Sequence, residues 1–147
     1  MRRPLLAVAG AVILLASACG SDPGSLSSDD ESACQEYYQV INAWSKDYGA
    51  EMGAVGQAVA AGDEDRQETA VAVVRELFAD MAGDLREQSD GTDDQELAEA
   101  LGEAADGLDE IAGQIETYDD VTAAPELMSN GQFAEAGQRV SDRCAEE

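Results

Sequence analysis

Apolar residues recur at every third or fourth position through four stretches of this 147-residue chain, the spacing that puts them on one face of an α-helix. In the first stretch Ser28 and Asp29 can cap, and Cys34, Tyr37, Ile41, Trp44, Tyr48, Met52, Val55 and Val59 follow as one stripe. Gly62-Asp63 then supplies a stop and the next cap. The second stripe is Ala70, Val74, Leu77 or Phe78, Met81 and Leu85, closed by Gln88-Ser89-Asp90-Gly91. The third is the most regular: Leu97, Leu101, Ala104, Leu108, Ile111, Ile115 and Tyr118, with Asp93 or Asp94 as its cap. In the last stretch Pro125 suits a first helical position. Ser129-Asn130-Gly131 interrupts after one turn, and Phe133, Gly137, Val140 and Cys144 continue the stripe. No stretch alternates in the manner of a strand. The pattern predicts an all-α fold, an up-down-up-down four-helix bundle with short loops.

The beginning of the chain follows a different rule. Met1-Arg2-Arg3 is basic, Leu5 to Leu15 is uncharged and largely apolar, and Ala16-Ser17-Ala18 are small, the layout of a secretory signal peptide. A spanning helix needs about 20 apolar residues, and this run meets Gly20, Ser21, Asp22 and Pro23 too soon. Cys19 stands directly after the small residues. The stretch resembles a bacterial lipoprotein signal, whose lipobox sets small residues before a cysteine that is acylated and becomes the first residue. Ala18 and Ser17 match that pattern, whereas Ala16 stands where the family most often has Leu, and Leu15 lies one place earlier. Ordinary cleavage after Ala18 also fits, since Ala16-Ser17-Ala18 reads A-x-A, and would leave Cys19 as a free thiol in a secreted protein. The resemblance implies a signal peptide over residues 1–18 and a lipid on Cys19. It also implies a protein held at the extracytoplasmic face of the cell membrane. Residues 19–30 then act as a lipidated start and a tether, because GSDPGSLSSDD is rich in Ser, Gly and Asp. Residues 31–147 form the helical domain.

Charge narrows the partners. Eight basic residues face 32 acidic ones, for a net charge of −24, and loss of the signal peptide removes Arg2 and Arg3 as well. Nucleic-acid binding needs basic surface and is excluded, as is attachment to anionic lipid by charge. Membrane contact therefore runs through the lipid anchor. A cationic or a helical protein partner suits such a surface, although a solvated acidic face needs no partner at all. With Lys46 as the single lysine and the lipobox, the composition resembles small lipoproteins of actinobacteria. A salt-adapted source gives similar acidity, and Arg2-Arg3 leaves Sec and twin-arginine export both open.

The remaining cysteines report on topology. Cys34 lies in the opening turns of the first helix and Cys144 in the closing turn of the fourth, and an up-down-up-down bundle sets those two ends side by side. A Cys34–Cys144 bond would persist outside the cytoplasm and, from chain entropy, stabilise by about 4 to 5 kcal/mol. The alternative, Cys19 with Cys34, closes only the tether and leaves Cys144 alone. Gly49, Gly53, Gly56, Gly102, Gly107 and Gly113 each cost about 1 kcal/mol relative to Ala inside a helix. They either mark breaks or allow close helix approach, and a kink is expected near Gly49 to Gly56.

Chemistry is sparse. The chain has no histidine, which removes the commonest general base and every Ser-His or Cys-His pair, together with the Glu-x-x-His di-iron arrangement. Zinc spacing and a phosphate loop are absent. Counted from Asp90, the places where a calcium loop wants Gly and Glu hold Gln95 and Leu101. No enzyme, metal site or cofactor is expected; a carboxylate hydrolase would need two acidic side chains buried together in a cleft. One face invites a binding hypothesis. Tyr37, Trp44 and Tyr48 share the first stripe, with Tyr38 beside it. They read as core, or as a groove for a small apolar ligand or a partner helix. The expected function is that of a membrane-anchored extracytoplasmic lipoprotein with a non-enzymatic interaction or envelope role. The alternative is a small-ligand binding module built on that aromatic face.

Overall fold

Ser27 opens the first helix with a reciprocal cap: its hydroxyl oxygen accepts from the Asp30 amide at 3.2 Å, and the Asp30 carboxylate accepts from the Ser27 amide at 3.2 Å. The computed structural model describes residues 26–63 and 65–145. Among these it holds five helices and no strand: α1 Ser28–Ala60, α2 Asp65–Gly91, α3 Gln95–Gln114, α4 Tyr118–Met128 and α5 Gly131–Cys144. The expected signal peptide, Cys19 and most of the expected tether lie outside the described residues. Within the described residues, Ser27 to Asp30, ahead of residue 31, already belong to the cap and first turn of α1.

The stops and starts follow local chemistry. Gly62, at φ +85°, lets α1 close in a Schellman turn, in which the Gly62 amide donates to the Val59 carbonyl and the Asp63 amide to the Ala58 carbonyl, both at 3.0 Å. Asp63 then accepts from the Arg66 amide at 3.3 Å to start α2. Asp94 caps α3, taking the Leu97 amide at 2.8 Å. Between caps, α1 runs unbroken through Gly49, Gly53 and Gly56, so the expected kink corresponds to no interruption of the helix.

The fourth stretch departs from expectation. The third stripe was expected to reach Tyr118, yet α3 ends at Gln114 and Tyr118 opens α4. The cause is a second capping box: the Asp120 carboxylate accepts from the Thr117 amide at 2.8 Å and its hydroxyl at 2.7 Å, and Thr117 caps the Asp120 amide in return. Pro125 is consequently not a first helical residue but sits inside α4. A proline there has no amide to donate to the carbonyl four residues back, which is that of Val121. The Tyr48 hydroxyl of α1 donates to that carbonyl instead, at 2.7 Å.

Helices α1, α2, α3 and α5 make the up-down-up-down bundle, each beside the next in sequence order, while α4 leans on α2, α3 and α5. The core is mainly aliphatic around the aromatic Phe78: Val74, Phe78, Leu85, Leu97, Leu101, Leu108, Ile115, Val121 and Val140 are fully buried within one cluster. Gly107 is where a glycine is required. A Cβ there would lie 2.6 Å from the Phe133 amide nitrogen and 2.9 Å from its Cα, so α3 and α5 touch backbone to backbone. At Gly49, Gly53, Gly56 and Gly113 a Cβ would meet nothing within 4 Å.

Helix lengths are unequal. At about 1.5 Å per residue, α1 is about 50 Å long, α2 about 40 Å and α3 about 30 Å. The surplus of α1 and α2 forms a two-helix arm beyond Tyr48. Among the described residues its fully buried ones, Val55 and Ala70, lie outside the main core cluster, while Met52 and Val71 at its base pack against that cluster; an Arg66–Glu51 ion pair crosses it at 2.7 Å.

Candidate functional site

At the opposite end from the arm, three chain segments meet. Cys34 and Cys144 are joined by a disulfide with their Cα atoms 5.7 Å apart, as expected from the topology. Beside it lies Asp30, only 4% exposed. Its carboxylate accepts from the Ser27 hydroxyl at 2.7 Å, from the Thr92 hydroxyl, and from the amides of Asp93 and Asp94 at 3.0 and 3.1 Å. One side chain thereby closes the start of α1 onto the α2–α3 turn. Burial works to raise the Asp30 pKa, but the hydrogen bonds from Thr92, Ser27 and the Asp94 backbone outweigh it and hold the carboxyl well below the ordinary range. Asp94 extends the network to α5: the Arg143 guanidinium donates to it at 2.7 Å, and this bond is the main reason its carboxyl also titrates low. Both acids are ionised clasps bound by donors, an arrangement that holds structure and offers no general acid.

The aromatic face is mostly core. Tyr37 is buried in the main cluster and Trp44 and Tyr48 pack against it. Trp44 stacks on Tyr48 with ring centroids 5.0 Å apart and leans on Phe78 at 5.2 Å. Burial pushes the Tyr37 and Tyr48 phenols up. Tyr38 meets Tyr37 edge-on at 5.3 Å and stands 45% exposed. Tyr37 approaches α5 closely enough that a Cβ on Gly137 would lie 2.8 Å from its hydroxyl.

Open space lies elsewhere. A groove of about 640 Å³ runs between the first half of α1 and the last turns of α2. Asp29 and Glu36 stand along one wall, Asp84 and Glu87 along the other, and Val40 and Gln88 also line it. Smaller hollows of about 290 Å³ and 410 Å³ lie among α3, α4 and α5 and between α3 and α5. None of the three takes Tyr37, Tyr38, Trp44 or Tyr48. Gln88 is 8% exposed, and its Oε1 has no hydrogen-bond donor, a deficit that costs about 1–3 kcal/mol for a buried acceptor. Arg86, between Asp84 and Glu87 in sequence, turns away to Asp106 and Asp109 of α3.

Sequence reasoning missed both the Asp30 clasp and the groove. The clasp had a signal, the spacing Ser27-x-x-Asp30 of a capping box. The groove had none, since its walls lie some 50 residues apart in the chain. Among the described residues no group of three or more metal-ligating side chains could hold an ion, and no helix is long and apolar enough to cross a membrane. Comparison with known protein families, with curated proteins and with solved structures finds no match to this chain.

Proposed function

We propose that this protein is a lipid-anchored lipoprotein of the extracytoplasmic face of the cell membrane, and that its acidic helical domain serves a non-enzymatic interaction or envelope role. The observation that carries the reading is the Cys34–Cys144 bridge. It spends two of the three cysteines on the folded domain and leaves Cys19 over, directly behind Ala16-Ser17-Ala18. A disulfide at the joint of the bundle suits an oxidising compartment, and a leftover thiol outside the cell calls for a use. Acylation provides one. Two acyl chains hold an anionic protein at an anionic surface because each buried methylene contributes about 0.8 kcal/mol.

A non-enzymatic role draws support from composition and from the clasp. The chain lacks histidine, and its buried acid, Asp30, is saturated with donors. Mass spectrometry of the protein from the membrane fraction tests the anchor. The reading expects an N-terminal Cys19 carrying diacylglycerol, and release into the medium on Cys19→Ser. An unmodified thiol at Cys19 on a chain recovered from the medium would contradict it.

A further inference from the structure

We infer that the α1–α2 arm is a self-association surface: the arms of two copies pack against each other, antiparallel about a two-fold axis, and complete a four-helix bundle. The inference is independent of the lipid anchor. Its first support is an apolar stripe that outruns its cover. Tyr37, Ile41, Trp44, Tyr48 and Met52 of α1 lie in or against the main core. Val55 and Val59 continue the same stripe, but beyond Met52 the core ends. Val55 is still buried, whereas Val59 is 38% exposed, one of two large apolar side chains so exposed among the described residues. Two helices cover only the faces they turn to each other, so a second hairpin laid on this stripe closes what one hairpin leaves open.

Charge names the occupant. Residues 52–62 carry no charged side chain, the longest such run after residue 21, and residues 69–74 carry none. Glu51 and Arg66 within the arm pair with each other. Over most of the body a second copy, with its own net charge of −24, meets a like-charged surface. A neutral face is where two such molecules can meet, whereas a cationic partner gains nothing there. Antiparallel packing follows from the core. Met52 and Val71 hold the body at the base of this face, so a partner arm fits with its tip toward that base. The acidic bodies then lie at opposite ends, farther apart than the Debye length of about 8 Å, and the tip acids Asp63 and Asp65 of the two copies stay separated. The α1 residues beyond Tyr48 give a face about 18 Å long and two helices, about 20 Å, wide. That is well under the roughly 800 Å² per partner of a standard interface, so the dimer is weak and reversible.

Sedimentation equilibrium of the full-length protein in nonionic detergent, from about 10 μM to about 1 mM at about 0.15 M salt, tests this. A monomer–dimer equilibrium that stops at two copies is expected. Val59→Asp sets an unpaired charge in the shared stripe and should weaken the dimer about tenfold or more. Gln67→Glu, a near-isosteric change one turn from Val71 on α2, should weaken it as well, with helicity unchanged. Tyr38→Asp adds the same charge at the other exposed apolar residue and should leave it intact. Spin labels at Gln57 should approach each other across the axis, whereas labels at Glu36, about 30 Å down α1, should stand about 60 Å apart. In cells, a photo-crosslinking residue at position 59 should yield an adduct of twice the chain's mass. A monomer at every concentration, equal losses in Val59→Asp and Tyr38→Asp, closest approach at Glu36, or capture of a different protein at position 59 would each overturn the assignment.

Discussion

The two ends of the α1–α2 hairpin are built from the same two helices and held by different physics. At the stapled end, α1, the α2–α3 turn and α5 are joined by a disulfide, by the Asp30 clasp and by the Asp94–Arg143 pair. All three link segments far apart in sequence. In the arm, the tie is a local Schellman turn, one ion pair and the buried Val55 and Ala70. Val59 there is already exposed, and Gly49, Gly53 and Gly56 contribute no side chain. A helix pair needs tertiary burial to persist. A pole that folds with the core is thus continuous with an arm that rests on it, a gradient of local stability within single helices.

Removing the staple should have the largest effect. Cys34→Ala with Cys144→Ala opens a sequence separation of 110 residues, and the chain-entropy argument puts the loss at about 4–5 kcal/mol. Urea titration measures it; a loss under about 1 kcal/mol would mean that the rest of the pole suffices. Next comes Gly107→Ala. The added methyl would collide with Phe133 backbone, which cannot rotate aside, so a loss of about 1–3 kcal/mol is expected in the same titration.

Asp30→Ala follows, at about 1–3 kcal/mol, because it strands the Thr92 hydroxyl and the amides of Asp93 and Asp94. It carries a pH signature. The folded-state pKa of Asp30 lies below its unfolded value of about 3.9, so its contribution is present above that value and lost as pH falls below it. The wild type should lose stability over that acid range more steeply than the variant. The smallest effect belongs to the arm and has the opposite sign: Gly53→Ala meets nothing within 4 Å and should stabilise by up to about 1 kcal/mol. Thermal unfolding followed by circular dichroism would register the gain.

Much of this contrast was legible in residue spacing, and the exceptions have physical causes. The third stripe, the Gly62 stop, the Asp94 cap and the Cys34–Cys144 pairing could be read because each depends on residues close in sequence or on bundle topology. The break before Tyr118 was missed because the apolar period runs on through a polar cap, Thr117 with Asp120. Pro125 was misplaced because its tolerance depends on a hydroxyl from Tyr48, 77 residues away. Nor does local sequence distinguish Gly107 from Gly53: both lie within helices, and only the arrival of α5 makes one indispensable. Asp30 was hidden by abundance, one acid among 32. The groove is a property of two walls that meet only after folding.

Native-state hydrogen exchange resolves the comparison residue by residue. If the stapled pole folds with the core and the arm merely rests on it, amides at 51–60 and 66–70 should exchange through openings well below the global unfolding free energy. Those at 33–37, 97–105 and 136–143 should exchange only when the whole domain unfolds. Equal protection along the full length of α1 would contradict the account.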